Sequence, residues 1–131
     1  MSYGLTATLD RPFDDTVTDV RAALAEEGFG VISEVDMQAT LRTKLGVEID
    51  PYLILGACNP GFAHRSLQVD PSIGLLLPCN VVIRRTDAGT VVEMIDPQMM
   101  VEVTEDPGMQ VIAEEVGERL AAALRALSDP A

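Results

Sequence analysis

The pattern of apolar and polar residues along the chain predicts five strands. Residues 3–9 alternate with period two, which is typical of a strand with one buried face. The segment from Tyr52 to Ala57 is almost wholly apolar, which indicates a strand covered on both faces. The remaining predicted strands cover residues 29–35, 79–85 and 90–96, and the last two form a hairpin.

Apolar residues at helical spacing predict the longer helices between these strands. The first helix covers residues 13–27 and presents one apolar face, formed by Phe13, Val17, Val20 and Leu24. The last helix begins after Asp106-Pro107 and has the clearest apolar stripe, formed by Met109, Ile112, Val116, Leu120, Leu124 and Leu127.

Capping residues predict the shorter helices. Asp36 can cap a helix that Gly46 closes. Asn59 followed by Pro60 is a strong helix start, because a capping side chain precedes a proline at the first helical position. Asp70-Pro71 and Asp96-Pro97 each predict a further short turn or helix.

The resulting order, β-α-β-α-β-α-β-β-α, predicts the class α/β (α+β). We expect a two-layer sandwich with a mixed five-stranded sheet, because only the hairpin has an obvious antiparallel connection. A length of 131 residues fits one domain, 1–131, with an ordered core at about 3–127. Hydrophobic residues make up 47% of the chain but aromatic residues only 4%, so the core has to be built from aliphatic side chains and methionine.

Charge and hydropathy exclude some functions and favour a location. The net charge of −12 argues against binding to nucleic acid or to anionic lipid. No signal peptide is visible, and no apolar run approaches the length of a membrane span. We therefore expect a cytoplasmic protein with reduced thiols.

The two cysteines are the most chemical feature of the sequence. Cys58 lies in Ala57-Cys58-Asn59-Pro60 and Cys79 in Pro78-Cys79-Asn80, so each is followed by asparagine. Cys58 precedes a predicted helix N-terminus, a setting that lowers a cysteine pKa. Whether the thiols meet depends on strand direction. A parallel crossover separates them by the length of a strand, whereas an antiparallel arrangement brings them together.

Other candidate ligands are few. His64 is the only histidine and lies six residues after Cys58, so Cys58, Cys79 and His64 are weak candidates for a soft-metal site. The sulfur atoms of Met94, Met99 and Met100 are further soft donors, although methionines are more often core residues. Two cysteines are too few for a disulfide framework or a zinc tetrad.

Two blocks of sequence carry a family resemblance. They run from Ile54 to Pro60 and from Asp70 to Val82, and contain the Cys-Asn-Pro and Pro-Cys-Asn motifs. The chain resembles the bacterial and archaeal family known as domain of unknown function 302, over roughly residues 3–127. The resemblance implies a compact α/β fold that is commonly dimeric, and the family it points to has no established activity.

Three hypotheses follow for the function. The first is a binding module, a homodimer, whose pocket at Cys58, Asn59, Cys79, Asn80 and His64 holds a small ligand, a soft metal or a haem-like group. The second is a thiol enzyme or redox sensor in which Cys58 is the nucleophile and Cys79 resolves. The third is a structural or interaction protein without a site of its own. The sequence leaves open whether the protein is an enzyme, and it identifies no cofactor.

Overall fold

The computed structural model describes residues 3–128. The strands are β1 (Gly4–Leu9), β2 (Gly30–Asp36), β3 (Tyr52–Cys58), β4 (Cys79–Thr86) and β5 (Gly89–Ile95). The helices are α1 (Phe13–Glu26), α2 (Met37–Leu45), α3 (Pro60–Val69), α4 (Gln98–Thr104) and α5 (Gln110–Ser128), and two 3-10 turns cover Pro71–Leu76 and Pro107–Met109. The predicted α/β architecture with five strands is confirmed.

The sheet has the order β1-β5-β4-β3-β2, and each neighbouring pair is antiparallel. The expectation of a mixed sheet was therefore wrong in its strand directions. The reason lies in how the connections fold back. The α2 connection and the connection formed by α3 and the first 3-10 turn each reverse the chain, so β2, β3 and β4 are consecutive antiparallel neighbours. Helix α1 instead leads from β1 at one edge of the sheet to β2 at the other edge, and these two parallel strands are not neighbours.

One face of the sheet forms the core. Leu55 of β3 lies opposite Val81 of β4, which lies opposite Met94 of β5, and all three side chains are buried. Helices α1 and α5 pack against each other over this face, with Leu24 and Leu120 fully buried. The sequence predicted that β3 is covered on both faces, but only its core face is buried. On the other face Tyr52, Ile54 and Cys58 remain partly exposed, because the main helices lie on one side.

The predicted capping residues define where the helices begin. Asp36 accepts a hydrogen bond from the backbone N–H of Ala39 at 2.9 Å, and Gly46 closes α2 in the left-handed conformation. Asn59 caps α3 in the same way by accepting from the N–H of Phe62 at 3.1 Å. The cap at Asn59 fixes the direction in which the chain leaves β3, directly after Cys58.

Candidate functional site

The two cysteines meet at one end of the sheet. Cys58 is the last residue of β3 and Cys79 is the first residue of β4. These strands are antiparallel neighbours, and Ala57 is the residue directly opposite Cys79. Strand direction was the condition on which their proximity depended, and the antiparallel arrangement satisfies it.

An apolar pocket lies beside the two cysteines. Its volume is about 280 Å³, and no Asp, Glu, Lys or Arg is among the residues that line it. Its walls come from the end of β3, from α3 and from the segment that leads into β4, and also from the corner before β2, from α4 and from α5. The principal side chains on these walls are Phe29, Cys58, Phe62, Leu77, Cys79 and Met100. Such a pocket suits an uncharged, mainly apolar group.

The few polar side chains on the pocket wall already have partners. Asn59 donates through Nδ2 to the carbonyl of Gly28 at 3.0 Å while Oδ1 caps α3. The hydroxyl of Ser66 donates to the carbonyl of Phe62 at 2.8 Å. Asn59 therefore links α3 to the corner between α1 and β2. With Asn59 and Ser66 engaged in this way, the thiols of Cys58 and Cys79 are the polar side chains of the lining that remain to contact a bound molecule.

The two thiols differ in environment. Cys79 is buried and Cys58 is half-buried, and both are free thiols. Burial, and after it the charge of Cys58, raise the pKa of the Cys79 thiol to about 11. Cys79 is therefore protonated at neutral pH and behaves as a small apolar side chain with a weak S–H donor. This environment does not favour Cys79 as a reactive thiolate.

A glycine allows the pocket wall to pack closely. Gly56 lies in the middle of β3, and the side chains of Ser33 and Pro78 occupy the space beside it. A Cβ atom at position 56 would overlap Ser33 Oγ and lie 2.6 Å from Pro78 Cγ. Pro78 lines the pocket next to Cys79 and follows a cis Leu77-Pro78 bond. Position 56 thus requires glycine for Pro78 to lie where it does.

Two arginines lie over the aromatic ring of Phe62. The guanidinium carbon of Arg119 is 5.3 Å from the ring centroid, and that of Arg65 is 5.6 Å away. Arg65 forms a 2.7 Å ion pair with Glu115. Arg119 instead donates to the backbone carbonyl of Glu27 at 3.2 Å. The pocket wall therefore carries positive charge on its outer side.

Comparison with known proteins defines the family. A family model described as "Domain of unknown function DUF302" matches residues 5–127. The chain belongs to the DUF302 family. It is also similar to a solved structure, the crystal structure of uncharacterized conserved protein DUF302 from Bacillus stearothermophilus, with 30% sequence identity and a TM-score of 0.90. That match covers 97% of this chain and 99% of the other. No curated protein matches the chain.

Membership of DUF302 confirms the family assignment made from the sequence and supplies no ligand or reaction. Among residues 3–128 no helix is long and apolar enough to cross a membrane. Within the same range, no three His, Cys, Asp or Glu side chains are grouped so that they could hold a metal ion. The homodimer, the cytoplasmic location and the extent of the single domain stay predictions.

Only some of the residues predicted for the site of this DUF302 domain line the pocket. Cys58, Asn59 and Cys79 line the pocket. Asn80 is exposed and lines two neighbouring grooves instead, because it faces away from the core next to Cys79. His64 is exposed on α3 and is not among the residues that line the pocket.

Several pocket residues of the DUF302 domain were not predicted from the sequence. Phe29 and Val116 line the pocket but come from segments far from the Cys-Asn blocks, and the strand and helix patterns assign both to the core. Arg119, which lies beside the pocket, is also far from these blocks in the sequence. Met100 was considered only as a soft ligand or a core residue. The apolar run from Ile73 to Leu77, just before Pro78, was a local signal for the pocket, because Gly74 and Leu77 line it.

Proposed function

We propose that this protein is a binding module for a small, mainly apolar molecule, which it holds in the pocket beside Cys58 and Cys79. The observation that carries the proposal is a concave apolar pocket without a charged residue in its lining. Apolar pockets with a few polar groups are the usual form of small-molecule sites. The volume of about 280 Å³ is near the lower end of the range for such sites, which favours a small molecule over a haem-like macrocycle.

The protonated state of Cys79 supports binding over thiol catalysis. Because its pKa is raised to about 11, Cys79 is an uncharged thiol in the pocket lining at physiological pH. Cys79 lies opposite Ala57, so Cys58 and Cys79 are offset by one residue in the register. Both line the pocket as free thiols.

Fluorescence of the neutral apolar dye N-phenyl-1-naphthylamine tests the proposal. We expect a saturable increase in dye fluorescence on binding. Ala63 of α3 lines the pocket, so Ala63→Leu adds a larger side chain there and should weaken dye binding about tenfold. Ala22→Leu is the matched control, because Ala22 is exposed on α1 and does not line the pocket.

Thermal unfolding of both variants shows whether they are folded. Dye binding that does not saturate, or binding of equal strength in wild type and a folded Ala63→Leu variant, would refute the proposal.

A soft metal ion is a second candidate for this pocket. Sulfur-bearing side chains of Cys58, Cys79 and Met100 all line it, and thiolate and thioether groups select copper(I). Binding has to remove the proton from Cys79, so copper affinity should rise steeply with pH. Competition with the chelator bathocuproine disulfonate measures this affinity in wild type, Cys58→Ala and Cys79→Ala. Equal affinity in all three proteins would exclude the site.

A further inference from the structure

Arg119 differs from most arginines of the described chain because no carboxylate of residues 3–128 forms an ion pair with it. Five arginines of the described chain form ion pairs, namely Arg11, Arg21, Arg42, Arg65 and Arg84. Arg119 is exposed, and within residues 3–128 it donates one hydrogen bond, from Nη1 to the carbonyl of Glu27. A guanidinium carries five N–H donors in a fixed fork. Most of the donors of Arg119 therefore remain for another acceptor, in a chain with 21 acidic residues and nine basic ones.

Arg119 lies at the rim of the apolar pocket. It covers the ring of Phe62, which lines the pocket. Its Nη1 atom lies 3.2 Å from the position that a Cβ atom on Gly28 would occupy, beside the side chain of Asn59. Val116, one turn earlier on α5, lines the pocket as well. The guanidinium is thus next to the lining without being part of it.

We propose that the ligand is an amphipathic monocarboxylate, with its apolar tail in the pocket and its carboxylate on Arg119 at the rim. This inference rests on the proposed function. An ionised carboxylate inside the pocket would be costly, because no charged group lines it. At the rim the carboxylate meets a guanidinium whose fork matches its two oxygens.

The surrounding charge limits the ligand to a single negative charge. Arg65 also lies over Phe62, but Glu115 neutralises it. The net charge of −12 repels anions in general. At physiological ionic strength this repulsion is screened beyond about 8 Å, so the nearby Arg119 dominates for a carboxylate in contact. At the pocket rim, one guanidinium without an ion pair suits a monoanion and not a polyphosphate.

A competition experiment with two ligands of equal chain length tests the inference. Octanoate and octanol displace N-phenyl-1-naphthylamine from wild type, Arg119→Gln and Arg125→Gln at pH 7.5 and 0.15 M salt. The measured quantity is the ratio of the octanol to the octanoate dissociation constant. Arg119→Gln should lower this ratio about three- to tenfold, with octanol binding unchanged. Arg125→Gln should leave the ratio within about twofold of wild type, because Arg125 is exposed on the same helix and does not line the pocket.

The outcomes separate the two proposals. If octanol displaces the dye but the ratio is the same in wild type and Arg119→Gln, the monocarboxylate inference is wrong and the apolar pocket stands. An equal fall in the ratio for both variants also overturns it, because a general field effect would then explain the preference. If neither ligand nor dye binds, the proposed function fails and the inference fails with it.

Discussion

Replacement of Gly56 by alanine tests whether the pocket wall depends on close packing at β3. Alanine in a strand is ordinarily more stable than glycine by about 0.5–1 kcal/mol. Here the new Cβ overlaps Ser33 Oγ and lies 2.6 Å from Pro78 Cγ, well inside contact distance. Overpacking of this kind costs about 1–3 kcal/mol. We therefore expect Gly56→Ala to lower the free energy of unfolding, with a fall in Tm of about 4–10 °C for a domain of this size.

A double-mutant cycle separates the two contacts. Ser33→Ala removes the overlapping hydroxyl, so Gly56→Ala should cost less in that background than in wild type. The loss of stability that remains in the Ser33→Ala background measures the contact of the new Cβ atom with Pro78. Because Pro78 lines the pocket, Gly56→Ala should also weaken binding of N-phenyl-1-naphthylamine.

Gly4→Ala is the matched control in another strand. Among residues 3–128, a Cβ atom at Gly4 comes within 4 Å only of Met94 O, at the ordinary distance of 3.6 Å. Its Tm should therefore equal that of wild type or exceed it slightly. If the Tm of Gly56→Ala is as high as that of Gly4→Ala, Ser33 and Pro78 move aside without loss of stability, and the argument from close packing at Gly56 is wrong.

Two further predictions concern the cap of α3 and the buried thiol. Asn59→Ala removes the cap of α3 and the hydrogen bond to Gly28, so chemical denaturation should show a free energy of unfolding lower by about 1–2 kcal/mol. Asn59→Asp should retain the cap and lose less of this free energy. Equal losses in the two variants would mean that the cap contributes nothing to stability. For Cys79 the folded protein favours the protonated thiol, since the pKa rises from 9.0 to about 11. Its contribution to stability is present in full below pH 9 and is lost as the pH rises to 11, by about 2–3 kcal/mol in all. Urea denaturation between pH 8 and 11 should show this extra decline in wild type and not in Cys79→Ala, and parallel curves for the two proteins would contradict it.

Local features of the fold were predictable from sequence because their causes are local. Asn59 and Asp36 cap helices through hydrogen bonds to residues three positions later, and the sequence shows both partners. The directions of β3 and β4 depend on how the intervening helix and turn fold back, which residue types alone do not determine. The same holds for Arg119, whose partner Glu27 is 92 residues away in the chain. For this reason the Cys-Asn blocks located the pocket, while the charge at its rim became visible only in three dimensions.

The register between β3 and β4 has a consequence for protein engineering. Because Ala57 and not Cys58 is opposite Cys79, a single substitution, Ala57→Cys, would place two cysteines directly across an antiparallel pair. Opposite residues in such pairs have Cα atoms about 4.5–5.5 Å apart, a separation that a disulfide can span. Oxidation of the Ala57→Cys variant would then join β3 to β4 covalently beside the pocket.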